Sequence, residues 1–328
     1  MFKAFRISFL SILICCCGLC SHLSAQNSEE ELFQVTENAF EDGFYDTARG
    51  YVEQLFAQFP KTPKRIPARL IQGQCYFFRS QYLKAYDVFS ELLPYNEYKD
   101  ATLYWLGETL FKGGDNKKAL EYYRQLLDIY PQSSYIPQAL YSLGWLFFGE
   151  KNWNEAARYF SRFIGAYPKH PLNEESFFKL AEIAFLQKDY VKAITGFGHY
   201  LDRFSDSARA AEGYFYIGES LYYQKDYLNA IVAYAKAAQD APDDHLALNA
   251  ETGLGWAYLQ LEKFQMAEEA FARAESFSAK TGDSSEDILL GEAKLYSQTR
   301  QNGKALEAYG KLIDGLDRKS TRLNSSHT

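Results

Sequence analysis

Histidine and cysteine are the residues of this sequence whose side chains could bind a metal or act as a nucleophile. Between residues 26 and 316 there are three histidines, His170, His199 and His245, at spacings that no metal-ligand motif uses. We interpret each as a surface histidine. The sequence contains neither a Gly-x-Ser-x-Gly motif nor a glycine loop suited to phosphate. We therefore expect no catalytic residue, no metal site and no cofactor, and we predict that the protein is not an enzyme.

The amino terminus has the layout of a secretory signal peptide. Basic Lys3 and Arg6 precede an apolar run over residues 7–19, and Leu23-Ser24-Ala25 forms a small-residue cleavage signal. The apolar run is well below the roughly 20 residues that a membrane-spanning helix needs. We therefore favour cleavage after Ala25 over an uncleaved membrane anchor, and we expect no transmembrane segment in the mature chain.

Four of the five cysteines lie inside this signal, so the mature chain would keep only Cys75. No intramolecular disulfide is then available, and we expect Cys75 to be a small buried apolar side chain. Acylation, as in lipoproteins, is the alternative explanation of the cysteine cluster. It fits poorly because Cys20 follows the large Leu19, and Cys16 and Cys17 follow other cysteines.

The carboxyl-terminal segment 317–328 looks like a sequencing adapter translated in one frame, so we exclude it from the fold. A natural polar tail is the alternative. The predicted domains are a signal peptide over 1–25, a repeat domain over 26–316 that is truncated at its carboxyl end, and the adapter-like segment. Truncation would leave four apolar residues less covered than their counterparts in the middle of the array: Leu306, Tyr309, Leu312 and Ile313.

The repeat domain is acidic. Each of the two end segments carries a net charge of +2, so the stated net charge of −7 becomes −11 for residues 26–316. Nucleic-acid binding depends on lysine and arginine that neutralise phosphates, and no basic stripe is present. We therefore exclude nucleic acid as a partner and expect the acidic charge to favour solubility.

An internal repeat runs through residues 26–316. One alanine recurs at intervals of 34 to 38 residues, at what we call the alanine position: Ala48, Ala85, Ala119, Ala156, Ala193, Ala230, Ala267 and Ala305. Twelve residues earlier is the small position: Gly73, Gly107, Gly144, Ala181, Gly218, Gly255 and Ala293, with Thr36 in the first unit. Four residues after the alanine is the ring position: Phe89, Tyr123, Phe160, Phe197, Tyr234, Phe271 and Tyr309, with Val52 in the first unit.

The spacing of these positions predicts the local structure. Residues three and four apart share a helix face, and a step of twelve carries the chain across a turn, so each unit is predicted to be a helical hairpin. A glycine inside a helix costs roughly 1 kcal/mol relative to alanine, so its recurrence indicates close helix packing. Prolines twelve residues after the alanine end the second helix in four units: Pro60, Pro131, Pro168 and Pro242. Asp or Asn in the short turns between the helices is expected to cap the second helix.

These residues resemble the tetratricopeptide repeat, whose signature the fourth unit matches throughout: Leu143-Gly144, Phe147, Ala156, Phe160 and Pro168. The resemblance implies an all-α, right-handed alpha-alpha superhelix of about eight hairpins, in which Gly144 and Ala156 are deeply buried packing residues. Most units have 37 residues, and junctions such as Tyr130-Pro131-Gln132-Ser133 are similar to those of two envelope proteins, the periplasmic Tol-Pal coordinator and the barrel-assembly lipoprotein. That likeness implies the periplasm or outer-membrane periphery of a Gram-negative bacterium.

The family places its binding groove on the first helices, around the small position. By that register the groove here comprises Tyr104, Glu108, Phe111, Tyr141, Trp145, Phe148, Phe178, Glu182, Phe185, Phe215, Glu219, Tyr222 and Trp256. Three aligned glutamates among aromatic rings suit an apolar peptide that also carries lysine or arginine. The alternative is that the glutamates form a solvated face while the rings bury one another.

Two functions follow from this pattern. The first is an envelope scaffold or assembly adaptor that binds proteins or peptides in the groove, with self-association also open. The second is a helper domain of a larger enzyme or nutrient-uptake protein. A repeat fold is shared by proteins of many functions, so the partner has to be argued from the site.

Overall fold

A computed structural model of the protein describes residues 28–283 and 286–325, of which 316–325 are described by their backbone. These residues form sixteen α-helices and no strand, as predicted for an all-α repeat fold. The helices are α1 (Glu29–Glu41), α2 (Tyr45–Gln58), α3 (Arg65–Phe78), α4 (Tyr82–Leu92), α5 (Lys99–Lys112), α6 (Asn116–Ile129), α7 (Ile136–Gly149), α8 (Trp153–Ala166), α9 (Asn173–Leu186), α10 (Tyr190–Arg203), α11 (Ala210–Tyr223), α12 (Tyr227–Gln239), α13 (Asp244–Gln260), α14 (Phe264–Thr281), α15 (Glu286–Gln298) and α16 (Asn302–Ser325). A 3₁₀ turn, Asn96–Tyr98, precedes α5.

The chain divides into two compact units at Ile136, at the start of α7. Odd-numbered helices are the first helices of the hairpins, and even-numbered helices are the second. Within each unit a helix packs on its neighbours in sequence, and first helices also contact first helices, as in α1 with α3 and α11 with α13. The first helices therefore line one face of each unit.

The small position lies against the ring position of the same hairpin. A Cβ added to Gly144 would lie 2.7 Å from the ring of Phe160, and one added to Gly218 would lie 2.6 Å from the ring of Tyr234. Both rings are almost completely buried. The Tyr234 ring also contacts Gly253 of the following hairpin, so it fills the space between these two hairpins. The prediction that Gly144 and Ala156 are buried packing residues is confirmed.

The turns between paired helices repeat one backbone conformation. Five residues before each alanine position the chain has a positive φ, at Gly43, Ser80, Gly114, Lys151, Lys188, Lys225, Glu262 and Arg300. The next residue caps the second helix in four hairpins: side chains of Asp115, Asn152, Asp189 and Asp226 each accept a hydrogen bond from a backbone amide three residues later. The predicted capping role is therefore confirmed for these turns.

Cys75 is buried in the core of α1 to α3, and burial raises the pKa of its thiol to about 12. This agrees with the predicted structural role, since a thiol with so high a pKa is rarely the reactive thiolate. Within the described residues, no helix combines the length and the apolar content that crossing a membrane requires. The predicted signal peptide, residues 1–25, lies outside the described residues.

The last hairpin leaves its apolar face open. Leu306 is 73% exposed, Ile313 58% and Tyr309 39%, whereas Leu312 is half-buried. The ring-position counterparts of Tyr309 in α12 and α14, Tyr234 and Phe271, are buried. The backbone of α16 continues to Ser325, beyond Asp317, the position at which four other hairpins have proline. The side chains of the adapter-like segment lie outside the described residues.

Candidate functional site

All thirteen predicted groove residues lie on first helices, but the structure places them in different environments. Three belong to the first unit, on α5, and ten to the second unit, on α7, α9, α11 and α13. Some are buried, some contact a neighbouring cation, and four line one cleft.

In the first unit, Tyr104 and Glu108 are both buried. The Tyr104 ring stacks on Tyr135, with ring centroids 4.9 Å apart, and burial raises its pKa. Oε1 of Glu108 accepts a hydrogen bond of 2.7 Å from the hydroxyl of Tyr123, the ring-position residue of the same hairpin. The assignment of these two residues to an open groove was wrong, because both are part of the helix packing. Phe111, one turn later, is half-buried.

In the second unit, Phe178 is also a core residue, so its assignment to the groove was wrong. It is fully buried, and its ring packs edge-on against Phe197 and Tyr200 at centroid distances of 5.1 Å. The guanidinium of Arg209 lies 3.5 Å from the centroid of the same ring. Two further groove residues, Tyr141 and Phe185, are half-buried and pack against other aromatic rings.

Three more predicted residues surround a lysine. The ammonium of Lys179 lies 5.0 Å from the Trp145 ring centroid and 4.9 Å from that of Phe148, and it donates a hydrogen bond of 2.6 Å to Oε2 of Glu182. The side chains of Lys179 and Glu182 are only 13% and 15% exposed. Glu182 is therefore neutralised by a residue of its own helix, and the expectation of three aligned glutamates available to a ligand was wrong.

The remaining four residues, Phe215, Glu219, Tyr222 and Trp256, line one cleft of about 400 Å³ on the first-helix face of the second unit. We call it the α11–α13 cleft. Its other lining residues are Tyr223, Tyr234, Asn249, Thr252, Gly253 and Asp287. Five aromatic rings and two carboxyl groups thus face one space, whose volume lies within the roughly 300–1,000 Å³ of ligand pockets.

Glu219 is held by the ring-position residue of its own hairpin. Its Oε1 accepts a hydrogen bond of 2.6 Å from the hydroxyl of Tyr234. Burial raises the pKa of Glu219, the hydrogen bond from Tyr234 opposes that shift, and the nearby charge of Asp287 adds to it. Burial and the adjacent Glu219 also raise the pKa of Tyr234, so the phenol stays protonated. A carboxylate held this way keeps acceptor capacity for a ligand.

Sequence reasoning missed six lining residues of the cleft. Thr252 stands three residues before Gly255, as Phe215 stands before Gly218, so the same register would have identified it. Gly253 was missed because it follows another packing rule: a Cβ there would lie 2.6 Å from the Tyr234 ring. Asp287 lies in the first turn of α15, outside the register that the predicted groove used. Among the described residues, no group of three His, Cys, Asp or Glu side chains is placed to hold a metal.

The comparisons with known proteins agree on the fold. Several solved structures resemble the chain. A tetratricopeptide repeat protein from Parabacteroides merdae has 18% identity and a TM-score of 0.51, over 81% of this chain and 98% of that one. The C-terminal part of a repeat-containing protein from Cytophaga hutchinsonii has 18% identity and a TM-score of 0.65, over 78% and 98%. The apo form of RapI has 13% identity and a TM-score of 0.65, over 87% and 86%.

At these identities the structural likeness concerns the fold alone. No curated protein sequence matches the chain. Models of the tetratricopeptide repeat match residues 98–169, 141–198, 212–244 and 252–281, which together make up half of the chain. With eight helical hairpins among its described residues and glycine-to-ring packing in register, the chain belongs to the tetratricopeptide repeat family.

Proposed function

We propose that this protein is a non-enzymatic scaffold that binds a segment of another protein in the α11–α13 cleft. The observation that carries the proposal is the lining of that cleft, five rings and two carboxyl groups on a face made by first helices. Aromatic side chains contribute much of the binding energy of protein interfaces, and a few polar groups fix the orientation of the bound chain. The lining therefore suits a peptide segment with apolar and basic side chains.

The rest of the predicted groove supports this choice of site. Glu108 and Glu182 are engaged by Tyr123 and Lys179, and Phe178 is buried, so these residues offer little to a partner. The cleft is the place where predicted groove residues retain a common accessible space. Binding at one cleft, rather than along the whole array, is what the arrangement of side chains favours.

A photo-crosslinking experiment tests the proposal. A benzophenone amino acid is introduced in place of Thr252, which lines the cleft, or in place of Leu228, which is 61% exposed on the second helix α12. In cells of the source organism, we expect Thr252 to give a crosslink to a defined protein partner that Leu228 does not give. Crosslinks of equal yield at both positions, or none at Thr252, would overturn the proposal.

We also propose that the scaffold acts in a bacterial envelope. The supporting observations are the signal-like residues 1–25 and the Tyr-Pro-Gln-Ser junction, similar to that of the Tol-Pal coordinator and the barrel-assembly lipoprotein. The mature protein is then expected in the periplasmic fraction with Gln26 as its first residue, as mass spectrometry of the amino-terminal peptide can show. A chain that keeps Met1 and stays in the cytoplasm would contradict export.

A further inference from the structure

We infer that the α11–α13 cleft recognises a lysine side chain of the bound segment, with the ammonium between Glu219, Asp287 and the rings of Tyr222 and Trp256. The inference rests on the proposed function, that this cleft holds a protein segment, and it names the residue that the cleft selects. Four observations carry it: an internal lysine in an equivalent setting, the register of the repeats, the charge of the lining and the aromatic rings.

The second unit contains its own example of such recognition. The ammonium of Lys179, on α9, lies 5.0 Å from the ring centroid of Trp145 and 4.9 Å from that of Phe148, both on α7. It also forms an ion pair with the carboxylate of Glu182. An ammonium near aromatic faces is attracted by their quadrupoles, and the attraction grows when the site is poorly solvated. Two first helices of this fold can therefore hold a lysine between them.

The register of the repeats shows why helix α13 places no lysine in the cleft. Lys179 stands two residues before the small position Ala181, and Trp145 and Phe148 stand one and four residues after the small position Gly144. In the α11–α13 pair, Glu219 and Tyr222 stand one and four residues after Gly218, and the residue two before Gly255 is Gly253. At the position where α9 has Lys179, α13 has a glycine, which has no side chain to place in the cleft.

Gly253 is fixed by packing. A Cβ at this position would lie 2.6 Å from Cε1 and Cζ of the Tyr234 ring, which is almost completely buried and has no room to move aside. The space beside Glu219 and Tyr222 therefore stays open to a side chain from another molecule. This arrangement leaves the cleft lined by acceptors and rings.

The charge of the cleft favours a cation. Its lining includes Glu219 and Asp287, and no lysine or arginine appears among the described residues that line it. Lys294 lies beside the site, with its ammonium 5.6 Å from the ring centroid of Trp256, although it does not line the cleft. The ammonium of a ligand would be attracted by the carboxyl groups of Glu219 and Asp287 and repelled by the ammonium of Lys294.

Calorimetric titration of the full chain tests the inference with two peptides that differ in one group. The probes are acetyl-Leu-Lys-Leu-amide and the same peptide with Nε-acetyl-lysine, which keeps the length of the side chain and removes its charge. We expect the lysine peptide to bind at least about tenfold more tightly, equivalent to roughly 1.4 kcal/mol. Equal affinities, or binding of neither peptide, would overturn the inference.

Variants locate the effect. The double substitution Glu219→Gln with Asp287→Asn should remove most of the preference for lysine, and glutamine can still accept the hydrogen bond from Tyr234. Glu182→Gln, at the same register but paired with Lys179, serves as the matched control and should keep the preference. Lys294→Gln should increase the affinity of the lysine peptide. An unchanged preference in a double variant whose circular dichroism is native would overturn the assignment.

The crosslinking result separates the two proposals. If Thr252 crosslinks to a partner while the two peptides bind equally, the cleft binds protein and only the lysine assignment fails. If Thr252 gives no crosslink, the proposed function fails and takes the lysine assignment with it.

Discussion

The hydroxyl of Tyr234 donates a hydrogen bond of 2.6 Å to Oε1 of Glu219, which joins the core of one hairpin to the wall of the cleft. The same relationship exists in the first unit, where Tyr123 donates to Glu108 over 2.7 Å. In both cases a ring that fills the space between helices also orients a carboxylate at the position that follows the small residue. The packing of the helices and the position of the cleft carboxylate are therefore coupled through the hydroxyl of Tyr234.

Removing that hydroxyl should be costly. Tyr234→Phe keeps a ring that the repeat accepts, since Phe160 and Phe271 occupy the same position, but it leaves Glu219 without its donor. We expect a loss of about 1–3 kcal/mol in the free energy of unfolding, the cost of leaving a buried acceptor without its hydrogen-bond donor. Urea unfolding measures the loss. Tyr95→Phe, at a ring 47% exposed, is the control and should be near neutral; similar values for both variants would argue against the coupling.

This pair also shows how far the sequence could predict the site. The repeat fold was predictable because it rests on local helical periodicity that eight units repeat. The direction of each glutamate side chain was not predictable in this way, since it depends on whether the residue at the ring position of the same hairpin has a hydroxyl. The sequence does contain that signal: Tyr123 and Tyr234 accompany Glu108 and Glu219, whereas Phe160 and Phe271 accompany Trp145 and Trp256.

Two other errors have similar causes. Glu182 has a phenylalanine at its ring position, Phe197, and is neutralised instead by Lys179 one turn earlier on the same helix. Phe178 has the register of a groove residue, but its ring turns into the core against Phe197 and Tyr200. Helical register gives the face of a helix and leaves the side-chain direction to contacts between helices.

Gly144→Ala should destabilise the second unit. The added methyl would lie 2.7 Å from the buried ring of Phe160, so overpacking is expected to cost about 1–3 kcal/mol. Gly198→Ala is the matched control, because Gly198 lies inside α10 and a Cβ there would meet nothing within 4 Å. This control should be stabilised by up to about 1 kcal/mol through helix propensity. Thermal unfolding of both variants checks the opposite signs, and a Gly144→Ala variant as stable as the control would contradict the packing.

Lys151→Gly should stabilise the protein. Lys151 has a φ of 57° in the turn between α7 and α8, a conformation that costs a residue with a Cβ roughly 1–2 kcal/mol. Glycine adopts it without that penalty, although part of the gain is lost to the greater freedom of glycine in the unfolded chain. The reverse change, Gly114→Ala at a φ of 88°, should destabilise. If chemical denaturation gives the same sign for both substitutions, the common turn conformation does not control stability here.

Binding of the lysine peptide should weaken as the pH falls. The ammonium needs an ionised Glu219, and burial raises the pKa of that carboxyl, with Asp287 adding to the shift and Tyr234 opposing it. The affinity should therefore begin to fall at a higher pH than the ordinary glutamate pKa of about 4.3 would give. The other groups near Glu219 that titrate or carry charge are Tyr222, Tyr223 and Lys294. Burial raises the pKa of both tyrosines, so they keep their protons in this range.

Calorimetric titration of the protein with the lysine peptide between pH 4 and 8 would show this fall in affinity. In Glu219→Gln the affinity at neutral pH should be lower, and the decline should move to lower pH, because the titrating group is gone. Superimposable pH profiles for the wild type and this variant would show that Glu219 does not bind the ammonium.

The most direct test of the account uses the four tryptophans as reporters. Trp256 lines the cleft, Trp145 packs against Lys179, Trp105 lies on α5 of the first unit, and Trp153 begins α8. Titration of acetyl-Leu-Lys-Leu-amide into the protein labelled with ¹⁵N-tryptophan should shift the indole resonance of Trp256 to saturation and leave the other three in place. A Trp256 resonance that does not move, or one that moves no more than those of Trp105, Trp145 and Trp153, would contradict binding at the α11–α13 cleft.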